Sequence, residues 1–532
     1  MSADSQKKVT ECFNPATGGK IGESDLNSVA ELISCIRYAK EVQPDWAAMP
    51  IRERISIIRN IRTYIVENAS EIAEIISRDN GKVRVDALAT EVLPAAMAVS
   101  YYVKNAKRFL KPEKLSSGNL LMANKRSKIY RKPFGVVGII SPWNYPFGIP
   151  FSEVIMALLA GNAVILKTAS ETQLVGRILE KCINSAGLPD GIFHYVNLPG
   201  RVAGDAFLEN GIDKLFFTGS VAVGKYLMKK ASETLTPVVL ELGGNDAMIV
   251  CKDADLEKAA AGAVWAGFSN AGQSCASVER IYVHESVYDS FLMMLKEKVE
   301  SLRLGFDDDF NLDMGSMTTQ KQVETVQKHI EDAVKKGAKL FIQSQYPKDS
   351  KGLFFPATVL TDVNHDMLLM QDETFGPVVG VVKFADINEA IWLANDSYLG
   401  LSGSIWSSNR YKAIKIAKQI NAGAVMINDH LMSHGLAETP WGGFKESGIG
   451  RSHGKLGFDE MTEPQVIVND IMPFAKRNLW WHPFSERLYS GLLGIIYVLY
   501  GKGIRKKSSG LWNLLRIVNR YSANESRCMF LA

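Results

Sequence analysis

The sequence predicts an α/β fold built on mostly parallel sheets, and three observations carry that prediction. Short apolar runs recur at 136–140, 163–166, 192–196, 214–217 and 238–240, each bounded by turn residues. Helical stretches such as 152–159 and 172–186 lie between them, and strands alternating with helices give parallel sheets covered on both faces. A second pattern of the same kind begins after Gly244, with helices expected at 259–268, 287–301 and 319–336 and strands at 338–343, 378–384 and 424–427. At 532 residues the chain is long enough for two or three domains.

Taken in order, residues 26–110 read as largely helical. Apolar side chains recur at spacings of three and four over 29–42, 51–68 and 71–77. Residues 68–70 are too few for a loop, so two helices should abut there, with Ser70 as N-cap of the second. Residues 115–134 turn polar and basic. The strand–helix alternation from Phe134 then argues for a Rossmann-like domain, which binds ligands at the carboxyl ends of its strands. A Gly-rich segment at 440–451 closes the body, and 465–468 is the last expected strand. No internal repeat of fixed period is present.

Composition excludes several classes. With 46% apolar and 22% charged residues, this is an ordinary globular chain. The net charge is +4, but residues 473–532 alone carry ten Lys/Arg against two Glu, a local +8 that leaves −4 on the rest. Nothing in the acidic body suggests nucleic-acid binding. The six cysteines include no Cys-x-x-Cys pair, so neither a disulfide framework nor a zinc site is expected. The N-terminal residues lack the apolar core of a signal peptide, which fits a reducing cytoplasm.

Four motifs carry chemistry. Cys275 follows Gly272-Gln273-Ser274 and precedes Ala276; small neighbours leave its sulfur reachable, and the glycine permits a tight turn. Glu241 stands 34 positions upstream, at the end of an apolar run and before Gly243-Gly244, a setting that suits a general base with a raised pKa. Asn144, in Trp143-Asn144-Tyr145-Pro146, offers an amide as an oxyanion donor. Glu373-Thr374-Phe375-Gly376-Pro377 follows downstream. In this order the four resemble the NAD(P)-dependent aldehyde dehydrogenase superfamily, over about residues 12–470.

That resemblance implies much of the remaining expectation. It implies an aldehyde dehydrogenase-like fold: a dinucleotide-binding domain at 1–117 and 134–243, a catalytic domain at 244–457, and an oligomerisation arm at 118–133 and 458–472. It implies oxidation of an aldehyde to the acid through a Cys275 thiohemiacetal and thioester, with Asn144 and the Cys275 N–H holding the oxyanion and Glu241 activating water. Acylating relatives generally lack that base, so a free carboxylate product is expected. The cofactor is NAD or NADP, held by Trp143, Lys167, Ser170, Gly204, Phe217, Gly219, Ser220, Val223, Gly224, Leu242, Glu373 and Phe375. Many relatives place Glu three or so residues after the lysine, where it repels a 2′-phosphate. Here Ser170 stands third after Lys167 and brings no like charge, so NADP should be tolerated. Asn245 replaces a common lysine, and no inference follows from it. The partners implied are an aldehyde, most plausibly hydrophobic, and further copies of the chain in a homodimer or homotetramer. The alternatives are a semialdehyde or aromatic aldehyde dehydrogenase, or a fold retained for binding alone.

His430 and His434 have a spacing that could hold a metal on a helix, but this chemistry needs no metal and none is expected. The tail, 473–532, lies beyond the resemblance. Its apolar run near 491–500 is well short of the roughly 20 residues a spanning helix needs. Aromatic residues, basic flanks and a second amphipathic stretch at 511–518 suit contact with a membrane surface.

Overall fold

The computed structural model describes residues 8–517, apart from 120–121, 348–350, 473–477, 479–480 and 516. The described chain forms two compact units, one of residues up to 111 with 131–463, the other of 112–130 with the residues from 464 onward.

The first unit opens with the antiparallel strands Val9–Phe13 and Lys20–Asp25. Helix Val29–Ala48 starts at a capping box, in which the Ser28 hydroxyl accepts from Glu31 N and the Glu31 carboxylate accepts from Ser28 N. The junction expected at 68–70 is a kink within one helix, Ile51–Asn80. Only Asn68 leaves helical geometry (φ −118°, ψ 17°), its amide donating to Tyr64 O at 2.8 Å. Ser70 is therefore interior and caps nothing, because the buried stripe Ile65, Ile72, Ile76 runs on across the kink.

The first sheet has the order 448–449, 238–241, 214–218, 136–140, 163–167, 193–195, parallel except for the two-residue outer strand. Strands Val136–Ile140 and Ala163–Lys167 are buried at every position, as expected of runs covered by helices on both faces. Chain order reverses between Val136–Ile140 and Lys214–Thr218. The crevice beyond their carboxyl ends is where such sheets take ligands.

The second sheet runs 339–343, 358–361, 378–384, 278–284, 246–250, 402–406, 424–427, with only the first pair antiparallel. Strands Asp246–Val250, Val278–His284, Thr358–Thr361 and Ser402–Trp406 escaped the sequence reading. Asp246, Glu279, Arg280, Ser402 and Ser404 break their apolar pattern, yet all five are buried. Partners make this possible: Ser402 N donates to Asp246, and Arg280 donates to the carbonyls of Asn245 and Ala394.

In the second unit, Thr462–Asp470 carries the expected last strand and forms a three-stranded sheet with Lys125–Pro133 and Glu113–Leu115. Helices Glu486–Tyr500 and Ile504–Leu515 follow. Leu479, Trp480, Val518 and Cys528 lie outside the described residues, as does the N-terminal stretch 1–7.

Candidate active site

Strand Val136–Ile140 delivers Asn144 to the crevice, and a buried ion pair fastens the turn that carries it. Lys82 Nζ lies 2.6 Å from Glu91 Oε1, both side chains fully buried. Lys82 also donates to Asn144 O at 3.0 Å, and its ammonium lies 4.1 Å above the Tyr145 ring. Glu91 Oε2 accepts from Phe147 N at 2.8 Å and Gly148 N at 3.0 Å. Asn144 O takes a further bond from Asn270 Nδ2 at 2.8 Å. With its main chain held, Asn144 donates through Nδ2 to Gln273 O at 3.1 Å. One Nδ2 hydrogen remains for an oxyanion.

The loop before Cys275 is strained. Asn270, Ala271 and Gly272 take φ of 51°, 54° and 69° in succession. Gly272 has a steric need: a Cβ there would lie 2.2 Å from Gly376 O. Asp86 anchors the loop by accepting from Asn270 N at 2.8 Å, and Gln273 Oε1 accepts from Thr318 N at 2.9 Å. His430 Nε2 donates to Ala276 O at 3.0 Å. Cys275 is half-buried, and its N–H makes no hydrogen bond to another residue among the described residues. Burial pushes its thiol well above the ordinary value, with Glu373, Asp246 and Glu241 adding to the shift. The thiol is protonated at neutral pH.

Glu241 ends strand Val238–Glu241, and neither of its buried carboxyl oxygens has a hydrogen-bond partner among the described residues. Burial, then the nearby Glu153, hold its pKa well above the carboxylate range. Glu373 Oε1 accepts from Gly244 N at 3.0 Å, and burial pushes its pKa up to about 8. Phe375, at φ 53°, meets Trp143 edge-on with ring centroids 5.4 Å apart. This loop is hung on Glu279, which accepts from Thr374 N and Phe375 N. Asn245 completes the arrangement by donating to Glu279 Oε2 at 2.7 Å and to the carbonyls of Leu369 and Asp372.

Of the residues expected to hold a dinucleotide, Trp143, Lys167, Phe217 and Leu242 stand at or just past the carboxyl ends of the first sheet's strands. The Lys167 side chain is buried, its ammonium makes no hydrogen bond or ion pair among the described residues, and that burial lowers its pKa. Ser170 is half-buried in the short helical turn Ser170–Thr172. Phe217 is the penultimate residue of strand Lys214–Thr218, and a Cβ on Gly219 would fall 2.6 Å from its ring. Thr218 Oγ1 is buried without a partner among the described residues. Ser220 starts helix Val221–Ala231 without capping it, and Val223 is exposed in its first turn. Free amides at that helix start, an unpartnered buried cation and an orphaned hydroxyl fit a pyrophosphate and ribose. Gly204 and Gly224 are accounted for by packing, against Leu227 and Leu242 respectively.

Cys275 also lines a cavity of about 840 Å³ whose walls include Leu93, Met97, Trp265, Phe268 and Leu436. Its two cations are already paired: Arg303 with Asp313 at 2.8 Å, and Lys298 with Glu257 at 2.5 Å. The structure thus joins Asn144 to the Cys275 loop and Glu373 to the Gly243-Gly244 turn. Sequence reasoning missed Lys82, Glu91, Asp86 and Glu279, and weighed His430 only as a metal ligand. A charged residue inside an otherwise apolar stretch, as Glu91 is, was the one available signal. Among the described residues no metal-ligand cluster occurs, His430 being engaged with Ala276.

A sequence profile described as the aldehyde dehydrogenase family matches residues 1–467. The chain is 37% identical over 489 residues to a 4,4'-diapolycopene aldehyde oxidase of Methylomonas sp, covering 92% of this chain and 91% of that protein. Among solved structures it is similar to the NAD+ complex of a Bacillus cereus aldehyde dehydrogenase (TM-score 0.83, 32% identity, 87% of this chain and 94% of the other). It is equally similar to a Burkholderia pseudomallei succinate-semialdehyde dehydrogenase (TM-score 0.83, 32% identity, 88% and 96%).

Proposed function

The chain belongs to the aldehyde dehydrogenase family and is an NAD(P)-dependent enzyme of it, and from that premise we propose that it oxidises a long, apolar aldehyde to the free carboxylic acid. The apolar cavity ending at Cys275 carries this reading.

In the proposed reaction the Cys275 thiol loses its proton to water and its sulfur adds to the aldehyde carbonyl. The free Nδ2 hydrogen of Asn144 and the Cys275 N–H receive the oxyanion; such donors are each worth about 10²–10³ in turnover. A dinucleotide, when bound, would supply the hydride acceptor for oxidising the thiohemiacetal to a thioester. Lys167, Ser170, the Gly219–Val223 turn and Glu373 would hold it. Glu241, once ionised, takes a proton from water, which attacks the thioester and releases the acid from Cys275.

A semialdehyde would need a cation for its distal carboxylate. Arg303 and Lys298 are already matched by acids, so burying a second carboxylate there is unfavourable. A fold kept for binding alone is set aside, because Cys275, Glu241, Asn144, Lys167 and Glu373 are all present. The exposed strand Thr462–Asp470, with Val466, Ile467 and Val468 uncovered, supports assembly into a homodimer or homotetramer. A reducing, cytoplasmic setting with peripheral membrane contact through 473–532 belongs to the same reading.

The test is a panel of unbranched aldehydes of increasing length, with succinate semialdehyde alongside, each run with NAD and NADP. The expected result is kcat/KM rising with chain length, by several-fold for each added methylene until the cavity is filled. A preference for succinate semialdehyde would overturn the apolar reading.

A further inference from the structure

We propose that helices Glu486–Tyr500 and Ile504–Leu515 form a preassembled hairpin that docks on an anionic lipid surface. This rests on the reading that the tail meets a membrane, and it names the surface and the lipid class.

The two helices grip each other through glycines. A Cβ on Gly494 would lie 2.6 Å from Gly510 O, one on Gly510 would lie 2.7 Å from Gly494 O, and one on Gly491 would lie 2.4 Å from Ile517. Leu488, Ile495 and Ile517 are buried in this contact, with Leu492 and Leu514 against them. The hairpin thus has a core of its own. Its outside, however, is apolar. Helix Glu486–Tyr500 exposes Tyr489, Ile496 and Tyr500 at positions i, i+7 and i+11, one stripe of its surface. Helix Ile504–Leu515 exposes Ile504, Leu511 and Leu515 at the same spacing, with Trp512 beside them. Tyr500 is 76% exposed, Ile504 88% and Trp512 65%. A water-facing helix pair would carry polar residues there.

Charge identifies the occupant. Lys502, Arg505, Lys506 and Lys507 cluster at the turn and first helical turn and are all exposed, and no Asp or Glu occurs in 487–515. Exposed aromatic and aliphatic side chains interleaved with basic ones match the boundary between anionic headgroups and acyl chains. A second copy of the chain would bring the same +8 tail against itself. Among the described residues no helix is long and apolar enough to cross a membrane, so the hairpin lies on the surface. The family profile ends at residue 467, before the hairpin begins.

The experiment sediments full-length protein with vesicles of phosphatidylcholine alone, or of phosphatidylcholine and phosphatidylglycerol in equal parts. Binding should favour the anionic vesicles and weaken with salt, because each basic residue near such a surface is worth about fivefold in partitioning. Reversing Lys502, Arg505, Lys506 and Lys507 to Glu should lower it by about a hundredfold or more. The exposed pair Leu511→Glu and Trp512→Glu should abolish it. Both variants should keep wild-type oxidation of propanal, which shows that they fold. Protein that stays in the supernatant with both vesicles overturns the proposal. So does a Leu511→Glu/Trp512→Glu variant that retains lipid binding, or one whose only change is a smaller assembly on gel filtration. Vesicle binding with no preference for long aldehydes would sink the substrate reading and leave the docking surface standing.

Discussion

Asn144 Nδ2 donates to Gln273 O at 3.1 Å, so the expected oxyanion donor and the loop of the expected nucleophile are bonded directly to each other. The relationship depends on Lys82, which holds the Asn144 carbonyl from behind while paired with Glu91. Removing one partner of a buried pair leaves an uncompensated charge. Lys82→Met should therefore cost on the order of 3–5 kcal/mol in urea unfolding. Turnover should fall by about 10²-fold as Asn144 loses its register. Adding Glu91→Gln should restore part of the stability and none of the rate. Recovery of both would show that the pair is structural only.

Cys275→Ala should abolish aldehyde oxidation while NAD(P)H binding, followed by fluorescence, stays within a few-fold of wild type. The proposed dinucleotide contacts lie mainly at the first sheet, whereas the covalent step needs the sulfur. Residual turnover within about tenfold of wild type would remove Cys275 from its role.

For Glu241 the pH dependence has a definite sign. Its pKa is raised by burial and by the nearby Glu153, so the protonated carboxyl, which cannot accept a proton from water, persists to higher pH than in an ordinary carboxylate. Steady-state turnover should climb as rising pH populates the carboxylate. Glu241→Gln should leave a burst of NAD(P)H and a slow steady state that no longer follows that rise. The burst itself should still quicken with pH, because the Cys275 thiol is also raised. Equal loss of both phases would assign Glu241 to orienting the thiol instead.

Ser170→Glu should shift cofactor choice toward NAD. A carboxylate beside the adenosine ribose repels a 2′-phosphate, and the ratio of kcat/KM for NAD over NADP should rise by about tenfold or more. An unchanged ratio would mean that Ser170 faces elsewhere.

The strands of the first sheet were legible because Val136–Ile140 and Ala163–Lys167 are unbroken apolar runs whose burial on both faces leaves no alternation to decode. The second sheet was harder. Asp246, Glu279 and Arg280 look like surface residues, and only the completed fold shows which groups satisfy them. Glu279 illustrates the limit best: it organises Thr374, Phe375 and Asn245, all distant in sequence, so no local pattern could reveal it. The same holds for Asn245, which is opaque as a letter after two glycines and intelligible as a donor to Glu279. Ser70 misled because serine suits a cap, but the apolar stripe of Ile72 and Ile76 continues the helix through it.

Gly448 pairs with Glu241 across the two-residue outer strand, at φ +145°, and a Cβ there would stand 2.1 Å from Leu240 O. Ser447 beside it accepts from Leu242 N and donates to Gly243 O. The strand bearing the proposed base is thus clamped against a neighbour with no thickness to spare, like a part seated without a shim. Any side chain at 448 would act as that shim, pressing on the backbone of Leu240 and Glu241 and moving the Glu241 carboxyl relative to the sulfur. One glycine thus sets the spacing of the strand that bears the proposed base.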